Sequence, residues 1–165
     1  MSDLHVTCHA YQRKIEELAF ILQDDGYNFN QIVCIARGGL RPGDILGRIF
    51  DVPLAILSAE SYSGQERGQI VFSRDLTKTT PGIGSRVLLV DDLVDSGVTF
   101  RKSLEWLEHY YGFYIDTIKT ACMWYKAGSS FRPDYFVTYL EDNPWIHMPF
   151  EKYELKGIEE IEPTI

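Results

Sequence analysis

Three acids and two hydroxyls fall within nine residues, Asp91-Asp92-Leu93-Val94-Asp95-Ser96-Gly97-Val98-Thr99, directly after the aliphatic run Val87-Leu88-Leu89-Val90. Adjacent carboxylates suit a hard divalent cation. A short Gly-containing turn with hydroxyls and several backbone N–H groups makes a nest for one phosphate. That turn leads into Phe100-Arg101-Lys102-Ser103-Leu104-Glu105-Trp106-Leu107, whose pattern is helical, and helix N-termini attract phosphate. The Lys and the spacing of a G-x-x-x-x-G-K-[ST] loop are missing, which argues against a nucleoside triphosphatase. Taken alone, the same residues also read as a strand, a turn and an N-capped helix with solvated acids.

Three further segments carry chemistry. Arg37-Gly38-Gly39, with Arg41 close behind, pairs cations suited to a polyanion with glycines that let a backbone come close to a ligand or adopt unusual dihedrals. An ordinary strand-to-helix turn with surface arginines fits the same residues. Ser61 to Gly68 is polar and Gly-flanked, hence a mobile loop between strands. Lys126 and Trp145 read singly as surface decoration and core.

The elements that must position these residues alternate. Tyr11, Ile15, Leu18, Ala19 and Leu22 fall at helical spacing, so residues 8–24 form an amphipathic helix ending before Gly26. Strands are expected at Gln31 to Ala36, Val52 to Ser58, Val87 to Val90, Ile115 to Trp124 and Tyr135 to Leu140, with a helix from Asp44 to Phe50 after Pro42. Aliphatic runs such as 87–90 suit strands covered on both faces. The pattern predicts an α/β fold, a mostly parallel central sheet flanked by helices, in which ligands bind at the carboxyl ends of the strands. No repeat or linker divides the chain, so residues 1–165 are expected to form one domain.

Composition limits the partners. With 16 Lys plus Arg against 24 Asp plus Glu, the net charge is −8, a poor match to nucleic acid or an anionic membrane surface. Any anion must be caught by a local site. Cys8, Cys34 and Cys122 are odd in number and lack metal-ligand spacing, as expected of reduced thiols. No charged-then-apolar leader opens the sequence and no apolar run reaches membrane-spanning length, so a cytoplasmic location is expected.

Asp91 to Thr99 resembles the 5-phosphoribosyl 1-pyrophosphate (PRPP) motif of the type I phosphoribosyltransferases: hydrophobic positions, paired acids, then Asp-Ser/Thr-Gly-x-Thr in register. The resemblance implies that Asp91 and Asp92 hold the ribose hydroxyls and Mg²⁺, and that Asp95, Ser96, Gly97, Val98 and Thr99 cradle the 5-phosphate. Arg37, Gly38 and Gly39 would bind pyrophosphate, with a cis peptide at Ala36–Arg37. Ser61-Tyr62 would belong to a lid that closes over PRPP. Lys126 with Trp145-Ile146 resembles the 6-oxopurine branch, in which such a lysine donates to purine O6 and the aromatic ring stacks on the base. An ammonium has only donors and so favours a carbonyl over the amino group of adenine. The backbone around Trp145 and Ile146 would read the purine 2-position. His147 departs from the acidic residue expected there, which leaves guanine, xanthine and hypoxanthine open as acceptors.

The resemblance implies transfer of 5-phosphoribosyl from PRPP to purine N9, with Asp95 as the catalytic group near N7, Mg²⁺ as cofactor, and a small hood built from about residue 126 onward. It also implies a homo-oligomer, dimer or tetramer. A regulator that senses PRPP or nucleotides on the same fold, without catalysis, is the alternative.

Overall fold

A computed structural model describes residues 3–61 and 69–161. A two-residue strand, β1 (Leu4–His5), precedes helix α1 (Cys8–Asp25). Thr7 caps that helix, its hydroxyl accepting from the Ala10 amide at 3.1 Å, and Gly26 ends it in the left-handed conformation at φ 75°. The five apolar residues expected on one face are the ones buried. Next come β2 (Gln31–Ala36) and α2 (Leu40–Phe50). Helix α2 starts four residues before the expected Asp44, because Pro42 falls in its first turn, where a missing N–H breaks no intrahelical bond.

The chain continues through β3 (Leu54–Ser61), β4 (Ile70–Phe72), β5 (Arg86–Val90), β6 (Leu93–Val94), α3 (Val98–Tyr111), β7 (Thr117–Lys126) and β8 (Tyr135–Leu140). It ends in β9 (Ile146–His147), α4 (Lys152–Leu155) and a 3₁₀ turn at Ile158–Glu160. Two strands run further than their sequence suggests, and in both cases a partner extends them. Ser61 pairs with Ile70 of β4, so it ends a strand instead of opening a loop. Lys126 pairs with Leu140 of β8, so it is the last residue of β7.

The main sheet runs β4-β3-β2-β5-β7-β8, with β6 continuing the line of β5 along the same edge of β7. Every pairing is parallel except β3 with β4. Strand alternation sends Ile32, Leu88, Val90 and Met123 to one face, under α1 and α2. Val33, Ile35, Val87 and Leu89 face the other, against Phe100 and Leu107 of α3. From β2 the chain crosses to β3 on one side, and from β5 it crosses to β7 on the other. The carboxyl ends of β2 and β5 therefore flank a topological switch point, where such sheets bind ligands.

A second, two-stranded parallel sheet pairs Leu4 with Ile146 and His5 with His147. Strands of two residues carry no periodicity, so this sheet has no local signature. Among the described residues no helix is long and apolar enough to cross a membrane.

Candidate active site

Strand β5 delivers Asp91 and Asp92 to the switch point. The Asp91 amide donates to the Ala121 carbonyl at 3.2 Å, and the Asp92 carbonyl accepts from Met123 and Trp124 at 3.0 and 3.2 Å. These bonds lock the pair to β7. The Asp92 amide donates to Asp91 Oδ1 at 2.9 Å. Burial, reinforced by the neighbouring Asp92 charge, pushes the Asp91 carboxyl well above the usual carboxylate range. Burial raises Asp92 as well. Two adjacent, poorly solvated carboxylates are a hard-oxygen donor set for a divalent cation. Among the described residues no cluster of three or more acidic, His or Cys side chains could complete a metal site. The remaining ligands would have to be water and substrate, which is the habit of Mg²⁺.

The loop after β2 lies against this pair. The Ala36–Arg37 peptide is cis. A Cβ on Gly38 would sit 2.5 Å from Asp92 Oδ1 and 2.9 Å from Asp91 Oδ1. One on Gly39 would meet the Val90 and Ile35 carbonyl oxygens at 2.5 and 2.7 Å. Neither residue has positive φ, so close approach, not an unusual dihedral, is what requires glycine here. The Arg37 guanidinium points outward, 3.8 Å from Glu154, and Arg41 lies over the Phe150 ring at 4.1 Å. A cavity of about 730 Å³ beside Arg37 is lined by Glu60, Ser61, Phe72 and Ser73. Ser61 thus faces the Arg37 loop, while Tyr62 lies outside the described residues.

Asp95 to Thr99 folds as a tight turn at the N-terminus of α3. Gly97, at φ 83°, is the N-cap and brings no capping side chain. Ser96 Oγ accepts from the Val98 amide at 3.3 Å. The Ser96 carbonyl accepts from the amide and the hydroxyl of Ser130, at 3.0 and 3.1 Å, and Arg101 donates to that hydroxyl at 3.0 Å. A Cβ on Gly97 would meet Phe131 Cβ and Ser129 Oγ at 2.5 Å each. The segment after β7 therefore buttresses the turn.

The third side of the site comes from the carboxyl end of β7. Lys126 is only 4% exposed, and its Nζ lies 3.4 Å from Asp95 Oδ1 and 5.9 Å from the centre of the Trp145 ring. The Trp145 ring is 59% exposed, open to a ligand on its free side. Leu4 donates to the Trp145 carbonyl at 2.8 Å, and Val6 donates to the His147 carbonyl at 3.0 Å. A parallel ladder that uses those two carbonyls directs the Ile146 carbonyl to the opposite edge.

The family of the phosphoribosyl transferase domain matches residues 7–154. The chain belongs to this family. It is 34% identical over 147 residues to a xanthine-guanine phosphoribosyltransferase of Gluconobacter oxydans, covering 88% of this chain and 83% of that protein. A purine phosphoribosyltransferase structure from Pyrococcus horikoshii superimposes with a TM-score of 0.76 at 30% identity, covering 100% of this chain and 98% of that one. The xanthine-guanine-hypoxanthine phosphoribosyltransferase of Helicobacter pylori also gives 0.76, over 97% and 100% of the two chains; at 21% identity it speaks for the fold alone.

In this phosphoribosyltransferase the fold gathers most of the residues singled out in the sequence: Arg37 to Gly39, Asp91, Asp92, the Asp95 to Thr99 turn, Lys126, Trp145 and Ile146. Sequence reasoning passed over Ser129, Ser130 and Phe131, whose only signal is the Gly-Ser-Ser that follows a strand. It also missed the buried hydroxyl of Tyr11, which has no hydrogen-bond partner among the described residues. Desolvation raises that phenol, with the charges of Asp92, Arg41 and Asp91 near enough to act on it.

Proposed function

We propose that this phosphoribosyltransferase moves the 5-phosphoribosyl group of PRPP to N9 of a 6-oxopurine and releases pyrophosphate. The observation that carries the acceptor is Lys126: a buried ammonium beside Asp95 and the exposed Trp145 ring. A donor-only group favours the 6-carbonyl, and a base stacked on Trp145 gains about 1–3 kcal/mol by analogy with other aromatic platforms. The names of its relatives, xanthine-guanine and purine phosphoribosyltransferase, support a purine. The Ile146 carbonyl, directed away from β1, is the backbone group free to meet the purine 2-position.

In this reading the C1–O bond breaks with its electron pair leaving on pyrophosphate, and the N9 lone pair closes on C1 from the opposite face. The Arg37 side chain and the Gly38 amide meet the charge that develops on the leaving group, while the Gly39 amide donates to the Ile35 carbonyl at 2.8 Å and holds the loop in shape. The Asp95 to Thr99 turn fixes the 5-phosphate, which orients C1 toward the base. Asp95, next to Lys126, is placed to share or accept the purine proton near N7. Asp91 and Asp92 hold the ribose hydroxyls and would hold Mg²⁺, which, when bound, supplies charge neutralisation of the pyrophosphate. The hood over the base is β9 and the residues around it, paired with β1, and so starts later than about residue 126, because β8 belongs to the main sheet.

A pyrophosphate-release assay with PRPP and Mg²⁺ tests this against guanine, xanthine, hypoxanthine, adenine and uracil. Turnover confined to 6-oxopurines is expected. PRPP binding without turnover of any base would assign the fold to a nucleotide-sensing regulator instead.

A further inference from the structure

Beyond the residues with a role above, one cluster of titratable groups sits at the edge of the site. Both ring nitrogens of His147 are engaged, Nδ1 2.8 Å from Glu151 Oε2 and Nε2 3.0 Å from Asp3 Oδ2. Ionised carboxylates only accept, so both nitrogens carry protons and the ring is an imidazolium. The ring also stacks on His5 of β1, with centroids 4.4 Å apart and planes 8° apart. The second oxygen of Glu151 accepts from Trp145 Nε1 at 3.4 Å. A continuous chain of contacts thus runs from Asp3 through His147 and Glu151 to the Trp145 indole.

We propose that His147 is a positioning residue for the purine, fixing the Trp145 ring through Glu151 and anchoring it to Asp3. The proposal rests on the reading that Trp145 stacks on the base, and adds that the stacking surface is held by a proton. A neutral imidazole keeps one donor, so losing that proton turns a lone pair toward one of the two carboxylates and releases it.

Among the described residues, the charged and titratable groups in contact with the ring are Asp3 from the segment before β1, His5 from β1 and Glu151 from the turn before α4. Glu141 and Asp142, after β8, line the same cleft as Asp3. The hydrogen bonds that His147 donates to Asp3, then to Glu151, raise it above its ordinary value of 6.5. A histidine raised in this way holds its partners below its ordinary value and gives up the proton as pH climbs through the folded value. The anchor is therefore intact in acid and loosens on the alkaline side.

Two measurements test this. In substrate-free protein followed by NMR, the Trp145 indole N–H resonance is expected to shift with the same midpoint as the His147 ring, and to lose that shift in His147→Gln. An indole resonance indifferent to His147 ionisation would overturn the proposal. In steady-state kinetics, His147→Gln is expected to raise the 6-oxopurine KM at neutral pH by about three- to tenfold, the scale of one hydrogen bond, and to move the PRPP KM by less than about twofold on that same scale. The purine's own ionisation cancels in the ratio of variant to wild type, so that ratio should fall toward one as pH rises. A ratio of one throughout would also overturn the anchor. Failure of the parent reading has a different signature, a wild-type protein that turns over no 6-oxopurine while the indole still follows His147.

Discussion

Asp91 and Asp92 sit at the carboxyl end of a buried strand, where water cannot solvate two adjacent charges. Burial raises both carboxyls, and the Asp92 charge raises Asp91 further. A carboxyl raised on folding contributes stability that is present below its ordinary value, near 3.8, and is lost as pH climbs through the folded value. The metal-free protein is therefore expected to melt higher at mildly acidic than at neutral pH. Asp91→Asn should remove much of that difference, raising the neutral Tm by a few degrees while abolishing turnover, the trade of stability for function common at such sites. Thermal melts across pH, with an assay beside them, check both halves; a lowered neutral Tm would contradict the argument. At this scale the acids were legible because they are contiguous and follow an aliphatic run. The partners of His147 were not, since Asp3 is remote in sequence and nothing in the local pattern points to it.

At the scale of elements, the glycines mark where segments touch. Gly97 combines a left-handed backbone with a neighbour that a methyl group would strike, Phe131 Cβ at 2.5 Å. Gly97→Ala is expected to destabilise the fold by about 1–3 kcal/mol and to raise the PRPP KM far more than the purine KM. Denaturation curves with the two KM values measure this, and equal effects on both substrates would argue against a phosphate role for the turn. The strands were read to within two or three residues, because aliphatic runs and turn residues are local signals. Their ends moved where pairing extended them, as at Ser61 and Lys126. The Pro42 misreading has the same character: proline breaks helix interiors, and only the actual start of α2 shows that this one lies in the first turn.

Over the whole molecule, an acidic protein of net charge −8 must accept a strongly anionic substrate. Around the site Arg37, Arg41 and Lys126 are offset by Asp91, Asp92, Asp95 and Glu154, so the side chains alone supply no net positive field. Removing divalent cations with a chelator is therefore expected to weaken PRPP binding at least about tenfold, the scale of one lost charged contact. Calorimetry with and without Mg²⁺ reads this, and metal-independent PRPP affinity would refute the assigned role of the paired acids. The sequence by itself determined the α/β class, the strand carrying the acids and the glycine turn that opens α3, because each depends on spacing within one element. Tertiary structure alone decided which strand ends become neighbours. The β2 loop meets the acid pair because β2 and β5 are adjacent in the sheet. Lys126 meets Asp95 because β7 runs two residues further than its own pattern indicates. The N-terminal segment meets the Trp145 segment through β1 and β9. Strand order and register are set by packing between remote segments, and no local pattern encodes them.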